Sequence, residues 1–345
     1  MKSLFILIPL LIIILFVCYY HLYWKSPQVN SGIAKLEKVF TEHNGEIAKV
    51  EFSPDASLLA SGSVDSTVKV WKRETGQVLY NLKNPSGVTN LDISNDGNYI
   101  AVTGYDGKIR LWQISNGTLL KTFDGHKGTS WSIAFSPDDK WIASGGEDNM
   151  VRLWDVQTGE LLRTMKGHTL NIWSVRFSPD GKKIISTGFD KTIKIWNSET
   201  GALIKDIQAH SQAIVELAIA PNKKSFASCS DDLTIKFWDL ETGTLLRTLE
   251  GSKEHVQALA FSPDGKRLIS GGRDKPMFGE LLQNFLGDSK FNKGVSARLW
   301  DLETGKIIQT FSEHSNDAND VAWSSDGKWI ATASADKTVH IWRIE

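Results

Sequence analysis

The chain has 345 residues, of which 41% are hydrophobic and 23% are charged. This composition excludes a disordered chain, a collagen-like repeat and a protein with many membrane spans. The 39 Lys and Arg residues are balanced by 40 Asp and Glu residues, so no cationic excess is present to neutralise a nucleic-acid backbone. The two cysteines, Cys18 and Cys229, are too few for a disulfide framework and lack metal-ligand spacing. We therefore expect no nucleic-acid partner, no cofactor and no metal.

The first element along the chain is an apolar segment. Residues 4–24 contain no Asp, Glu, Lys or Arg, and a helix of that length covers a hydrocarbon core of about 30 Å. We expect residues 1–24 to form an N-terminal transmembrane helix, followed by a linker over residues 25–33. The alternatives are a cleaved secretion signal and a lipid-modified Cys18, although the expected small residues are missing from both sites.

The charges on the two sides of this segment nearly cancel, so they specify its orientation only weakly. We expect the very short N-terminal tail to stay inside the cell. The remainder of the chain would then lie on the extracytoplasmic side of the membrane, which is the periplasm in a bacterium.

Seven tryptophans recur through the rest of the chain at intervals of 41, 42, 42, 42, 62 and 42 residues. Most of them end a period-2 alternation such as VKVW or IKIW, which predicts a β-strand. Pro-Asp-Gly and Thr-Gly turns separate four short strand patterns in each unit. The constant period indicates a repeat architecture and not the two domains that length alone would suggest. The recurring residues are Trp71, Trp112, Trp154, Trp196, Trp238, Trp300 and Trp342.

Several units open with Gly-His, as at Gly125-His126, and close with Trp-Asp, as at Trp154-Asp155. With these signatures, residues 34–345 resemble the WD-repeat (WD40) β-propeller family, and the regular FSPDGK and ETG units are similar to those of bacterial members. The resemblance implies an all-β fold with seven blades. It also implies that residues 36–41 pair with residues 338–344 to close the ring, which removes exposed sheet edges.

In this family a loop His, a strand Ser or Thr, a turn Asp and a Trp indole form a hydrogen-bonded structural tetrad. The resemblance implies such a tetrad in six of the seven blades. Each member needs the others, because a buried polar group left unpaired costs about 1–3 kcal/mol. The implied tetrads are His43–Ser61–Asp65–Trp71, His126–Ser144–Asp148–Trp154, His168–Ser186–Asp190–Trp196, His210–Ser228–Asp232–Trp238, His255–Ser270–Asp274–Trp300 and His314–Thr332–Asp336–Trp342.

The second blade departs from this pattern. It keeps Asp106 and Trp112, but Val102 occupies the serine position and the preceding loop has no histidine. We therefore expect blade two to be the least ordered of the internal blades.

Groups of Ser, His and Asp also suit nucleophilic catalysis. Because the same trio recurs once per repeat, whereas a catalytic site should break the repeat, we interpret the trios as structural and expect no enzymatic activity. His340 lies where the other repeats carry Lys or Arg, and we interpret it as a surface residue.

Function is expected where the sequence departs from the repeat. Trp131 and Trp173 lie five residues after the loop histidines of blades three and four, which places them near the mouth of the central channel. Exposed aromatic clusters of this kind are typical of protein-binding hot spots. The alternative is that the rings only fill the mouth. The other candidate residues on this face are the aromatic Tyr105 and Phe189 and the charged Glu147 and Arg273.

A second departure is an insertion at about residues 275–294, which lengthens one interval to 62 residues. Its apolar residues follow helical spacing and predict a short helix with one apolar stripe. The helix would emerge on the histidine-loop face as a lid or a partner-binding element, or it would dock on blades six and seven. The stripe consists of Phe278, Leu281, Leu282, Phe285 and Leu286.

These observations predict a membrane-anchored scaffold that mediates protein–protein interactions through the histidine-loop face of the propeller. One alternative is a propeller enzyme or small-ligand sensor with its site in the central channel. Another is an envelope-assembly factor, which would differ from the first hypothesis only in its partner.

Overall fold

The structure is a computed structural model that describes residues 32–252, 255–272 and 295–345. Over these ranges the chain forms 28 strands in seven four-stranded antiparallel sheets. The innermost strands of neighbouring sheets contact one another all the way around, from β2 through β26 and back to β2. The described residues therefore form a closed seven-bladed β-propeller, and the all-β prediction is confirmed.

The strands are numbered in chain order, and four strands at increasing distance from the central channel make each blade. The innermost strands are β2 (Ile47–Phe52), β6 (Val88–Ile93), β10 (Ser130–Phe135), β14 (Ile172–Phe177), β18 (Ile214–Ile219), β22 (Val256–Phe261) and β26 (Ala318–Trp323). The second strands are β3 (Leu58–Ser63), β7 (Tyr99–Gly104), β11 (Trp141–Gly146), β15 (Lys183–Gly188), β19 (Ser225–Ser230), β23 (Arg267–Gly272) and β27 (Trp329–Ser334). The third strands are β4 (Thr67–Lys72), β8 (Ile109–Gln113), β12 (Met150–Asp155), β16 (Thr192–Asn197), β20 (Ile235–Asp239), β24 (Ala297–Asp301) and β28 (Val339–Ile344). The outermost strands are β5 (Gln77–Lys83), β9 (Thr118–Phe123), β13 (Leu161–Lys166), β17 (Leu203–Gln208), β21 (Leu245–Leu249), β25 (Ile307–Phe311) and β1 (Ala34–Phe40).

The ring closes in blade seven, where the first strand pairs with the last. Ala34 lies opposite Ile344 and Phe40 lies opposite Val339 in an antiparallel ladder between β1 and β28. The paired strand begins two residues earlier than the sequence pattern indicated and ends at Phe40. Because β1 starts beside the C-terminal Ile344 and runs toward His43, the chain enters the propeller from the face opposite the histidine loops.

The core is divided into seven apolar clusters, one between each pair of neighbouring blades. Between blades three and four, for example, Val151 and Leu153 pack against Val175 and Trp196. Each fully buried Val or Leu side chain contributes about 1.5–3 kcal/mol. The period-2 alternation of the strands therefore fixes how neighbouring blades stack.

The turns between the first two strands repeat one hydrogen-bond pattern. In blade four the Ser178 hydroxyl donates to Asp180 at 2.5 Å and accepts the backbone N–H of Lys183 at 2.9 Å. Gly181 adopts a φ of 72° in this turn, which a residue without Cβ reaches at little cost. This explains the recurring Ser-Pro-Asp-Gly segments.

Several sequence predictions concern residues that the structure does not describe. They include the anchor at residues 1–24, most of the linker, and Arg273 and Asp274. The insertion, with Phe278, Leu281, Leu282, Phe285 and Leu286, also lies outside the described ranges. No helix in the described ranges is long and apolar enough to cross a bilayer.

Candidate functional site

Five of the six implied tetrads are hydrogen-bonded in the structure. In blade four the Asp190 carboxylate accepts from His168 Nδ1 at 2.8 Å, and Ser186 Oγ lies 2.7 Å from His168 Nε2 and accepts from Trp196 Nε1 at 2.8 Å. Because the carboxylate fixes the tautomer, the serine hydroxyl donates to Nε2. The same bonds occur in the groups that contain His43, His126, His210 and His314.

Burial favours the neutral form of three of these histidines. It lowers the pKa of His210 to about 4, and it also lowers the pKa values of His43 and His126. Burial opposes ionisation of Asp190, but hydrogen bonds and charge from His168, together with Thr192 and the backbone, lower the pKa of this carboxyl to about 2. His43, His126 and His210 are therefore neutral partners inside the scaffold. All five tetrad histidines have both ring nitrogens engaged.

The expectation that His255 is a buried tetrad member is wrong. Its side chain is half exposed, and its Nδ1 lies 3.0 Å from Asp231 of the neighbouring blade. In the five intact tetrads the histidine precedes the serine or threonine by 18 residues, and Ser252 holds that position relative to Ser270. Ser270 still accepts from Trp300 Nε1 at 2.9 Å.

Blade two replaces the tetrad by an ion pair. Arg110 donates to both carboxylate oxygens of Asp106, at 3.2 and 2.5 Å. With Val102 at the serine position, the buried Trp112 Nε1 has no hydrogen-bond partner in the part of the chain that is described. The reduced order of this blade stays a prediction, and slow hydrogen exchange there would contradict it.

The interpretation of His340 as a surface residue is also wrong. His340 is only 5% exposed, and its ring stacks on His314 with centroids 3.7 Å apart. The position faces Thr332 across the β27–β28 ladder, which places it beside the tetrad histidine. Burial and the neighbouring His314 lower the pKa of His340 to about 3. The equivalent Lys69 and Lys194 are buried as well.

On the histidine-loop face, four aromatic rings form a continuous row across blades two to four. The Tyr105 and Trp131 rings lie 5.9 Å apart, Trp131 and Trp173 lie 6.5 Å apart, and Trp173 and Phe189 lie 5.0 Å apart. Tyr105 is 47% exposed and Phe189 is 44% exposed, whereas the two tryptophans are half-buried. We call this set the aromatic row.

A backbone irregularity places the two tryptophans. The β10–β11 register shifts between Ser130 and Ser132, and the β14–β15 register shifts between Ile172 and Ser174. Trp131 and Trp173 are the unpaired residues at these shifts, and such a bulge redirects a side chain out of the sheet alternation. The same shift occurs at the start of every innermost strand.

Three rings of the aromatic row, those of Tyr105, Trp131 and Trp173, line one side of a recess of ≈ 470 Å³ at the channel mouth. Four of the residues that line the recess are acidic: Glu46, Glu216, Asp231 and Asp320. These acids belong to blades one, five and seven, across the mouth from the aromatic row. Lys49 and His255 also line the recess.

Below the mouth, buried charges cross-link the blades. The Lys49 ammonium lies 2.7 Å from Glu216 and 2.8 Å from Asp320, and Arg176 lies 3.0 Å from Glu216. The second oxygens of Glu216 and Asp320 accept the backbone N–H groups of Leu259 and Val50, at 2.9 and 2.8 Å. Each of these two carboxylate–backbone bonds joins two neighbouring innermost strands. We call these four side chains the channel network.

Two more acids, Glu51 and Asp92, lie in the channel and accept backbone N–H groups of the next blade. Burial raises the pKa values of Asp92 and Asp320 to about 6 and raises that of Glu51 as well. Sequence reasoning missed all of these residues. The sequence did carry a signal, because five of the seven innermost strands contain a charged residue.

Replacing Asp92 by asparagine should therefore change how stability depends on pH. Because its pKa rises from 3.8 to about 6 on folding, the folded state binds more protons between those values, and Asp92 lowers stability as pH rises through this window. Asp92→Asn should match the wild type below about pH 4 and be about 1–3 kcal/mol more stable at about pH 7.5, in urea unfolding. A stability difference that is constant with pH would contradict this, and the exposed control Asp124→Asn should change stability by less than about 0.5 kcal/mol.

Not all of the charged residues expected on this face lie at the recess. Glu147 is exposed and accepts the backbone N–H of Thr129 at 2.9 Å, and it is not among the residues that line the recess. The structure instead adds His255 and Asp231 to the mouth. His255 was not expected at the mouth because it was assigned to a tetrad, and Asp231 was not chosen as a candidate because an acid in a surface turn is ordinary.

Seven segments of the chain match the protein-family model described as "WD domain, G-beta repeat". The matched residues are 34–72, 76–113, 117–155, 159–197, 201–239, 243–275 and 305–343.

Curated relatives match over shorter stretches. The chain is 39% identical over 92 residues to a coronin-like protein of Saccharomyces cerevisiae, a match that covers 26% of the chain and 14% of that protein. It is 32% identical over 116 residues to the WD40 repeat-containing protein HOS15 of Arabidopsis thaliana, covering 31% of the chain and 19% of the relative. It is 31% identical over 116 residues to the human F-box-like/WD repeat-containing protein TBL1Y, covering 28% and 22%. The chain thus matches less than a quarter of the length of each, and these eukaryotic relatives give no support to a bacterial origin.

Proposed function

This chain belongs to the WD40 repeat family, and from that premise we propose that it is a scaffold that binds a protein partner at the mouth of its channel on the histidine-loop face. The observation that carries the proposal is the aromatic row. Its two end rings are almost half exposed, and exposed aromatic residues that flank a recess are typical centres of protein interfaces.

The remaining polar groups favour binding over catalysis. The tetrad histidines have both ring nitrogens hydrogen-bonded, and the channel network pairs its charges internally. A general base or nucleophile needs a reactive atom that can reach a substrate. A scaffold needs only the shape and the exposed rings of the mouth.

The proposal includes a membrane tether formed by residues 1–24. Strand β1 enters the propeller from the face opposite the histidine loops, and the linker over residues 25–33 spans at most about 30 Å. A tether on that side would hold the propeller close to the bilayer, with Trp131 and Trp173 directed away from the lipid. The propeller would then lie on the extracytoplasmic side.

Truncating the two central rings should abolish partner binding. We expect the double variant Trp131→Ala/Trp173→Ala to lose partner affinity by more than roughly a hundredfold, because each buried aromatic hot spot contributes about 2 kcal/mol or more. Affinity capture from detergent-solubilised membranes of the native organism, with quantitative mass spectrometry, measures the loss.

The matched control is Trp141→Ala. Trp141 is also half-buried, but it lies at the opposite end of blade three, beside the turn that contains Pro137. This variant should retain the partners. If the double variant retains every partner that the wild type captures, the mouth is not the binding site; if small molecules but no proteins co-purify, the ligand-sensor alternative gains.

A further inference from the structure

The two sides of the mouth differ in chemistry. The aromatic row covers blades two to four, and the acidic residues lie on blades five, seven and one. An aromatic ring attracts a cation to its face through its quadrupole, and a carboxylate attracts the same cation through its charge. Both sides therefore favour a positively charged group between them.

The charge balance of the recess points in the same direction. Lys49 is neutralised by Glu216 and Asp320. This leaves Glu46 and Asp231 at the surface, and among the described residues that line the recess only His255 lies there as a further basic group. Deeper in the channel, the Arg176 guanidinium is already paired with Glu216. The described charges of the mouth and channel thus sum to an acidic excess.

Within the described ranges, the recess also contains a side-chain oxygen that lacks a hydrogen-bond donor. Asn90 lines the recess and donates to the backbone carbonyl of Trp131 at 3.2 Å. Its Oδ1 has no hydrogen-bond partner among the residues that the structure describes. The described wall of the recess on the side of the aromatic row therefore contains an unsatisfied acceptor.

We propose that the protein partner inserts an arginine side chain into this recess, where the guanidinium lies against Trp131 and Trp173 and faces Asp231. The proposal rests on the proposed function, since it names the chemistry of the same partner. A guanidinium is planar, stacks on aromatic faces and presents five donors, whereas a lysine ammonium is a compact and strongly hydrated charge. A recess with rings on one side and spread acceptors on the other therefore favours arginine over lysine.

The test uses the full-length chain in detergent micelles and acetylated, amidated pentapeptides of the form Gly-Gly-Xaa-Gly-Gly. The central residue is arginine, citrulline, lysine or glutamate, and citrulline keeps the shape of arginine without its charge. The protein carries 5-fluorotryptophan, and the ¹⁹F resonances of the two mouth rings are assigned with Trp131→Phe and Trp173→Phe. Titration of each peptide to millimolar concentration measures its Kd.

We expect the arginine peptide to shift both resonances and to bind roughly tenfold or more tightly than the citrulline peptide, with lysine between them and glutamate weakest. Asp231→Asn should weaken arginine binding severalfold, whereas Asp138→Asn on the opposite face of blade three should not. Equal binding of arginine and citrulline, a preference for glutamate, or no shift with any peptide would overturn the proposal. These outcomes leave the proposed function standing if the Trp131→Ala/Trp173→Ala variant still loses its captured partner.

Discussion

Replacing Thr332 by valine should destabilise the folded protein by about 2–4 kcal/mol. The Thr332 hydroxyl lies 2.7 Å from His314 Nε2 and accepts from Trp342 Nε1 at 3.1 Å, and the side chain is fully buried. Valine has the same shape but no hydroxyl, so both ring nitrogens lose their partner without access to water. Urea unfolding of the purified chain measures the loss.

The matched control is Thr187→Val. Thr187 is also fully buried in a second strand, but its hydroxyl has no hydrogen-bond partner among the residues described. Removing this hydroxyl should be neutral or stabilise the protein by about 1 kcal/mol. Equal effects of the two substitutions would show that the tetrad hydrogen bonds do not contribute to stability.

Replacing Lys49 by methionine should destabilise the protein by about 3–5 kcal/mol near neutral pH. The Lys49 ammonium contacts both Glu216 and Asp320. Methionine keeps the apolar stem but leaves one buried carboxylate without a cation, and leaves the other with only Arg176.

The loss should be smaller in acid. Burial already raises the pKa of Asp320 to about 6 despite the charge of Lys49, so removal of Lys49 raises it further. Protonation of Asp320 between about pH 7.5 and 5 then removes the unpaired charge, and the variant approaches the wild type. The double variant Lys49→Met/Asp320→Asn should regain part of the stability at neutral pH, whereas the exposed control Lys72→Met should change little. A loss that is independent of pH would contradict this account.

The parts of the molecule that follow the repeat were predictable from the sequence. The spacing of the tryptophans gave the number of blades, and the Ser-Pro-Asp-Gly segments gave the turns. Reliance on the same repeat also produced the error at His255. A histidine near the expected position was accepted, although its interval to Ser270 is 15 residues and not 18. The burial of His340 was hidden because the position carries cationic residues in other blades.

The channel network and the acidic side of the mouth were not predictable in the same way. Their positions depend on the register shift that starts each innermost strand, which turns residues such as Lys49 and Glu216 toward the channel. A single sequence does not reveal which strand position carries a bulge. Trp131 and Trp173 were found because their size makes them conspicuous, and Asp231 was missed because an acid in a turn is ordinary.

The pairing of β1 with β28 also sets when the protein can fold during its synthesis. These two strands are about 300 residues apart in the chain, so the ring has no partner for its first strand until the last one has left the ribosome. At about 5–20 residues per second, the first strand exists for some fifteen seconds or more before its hydrogen bonds can form. During that interval the backbone N–H and C=O groups of β1 are unpaired and open to strands of other chains. Blade seven is therefore the place where nascent copies would exchange strands.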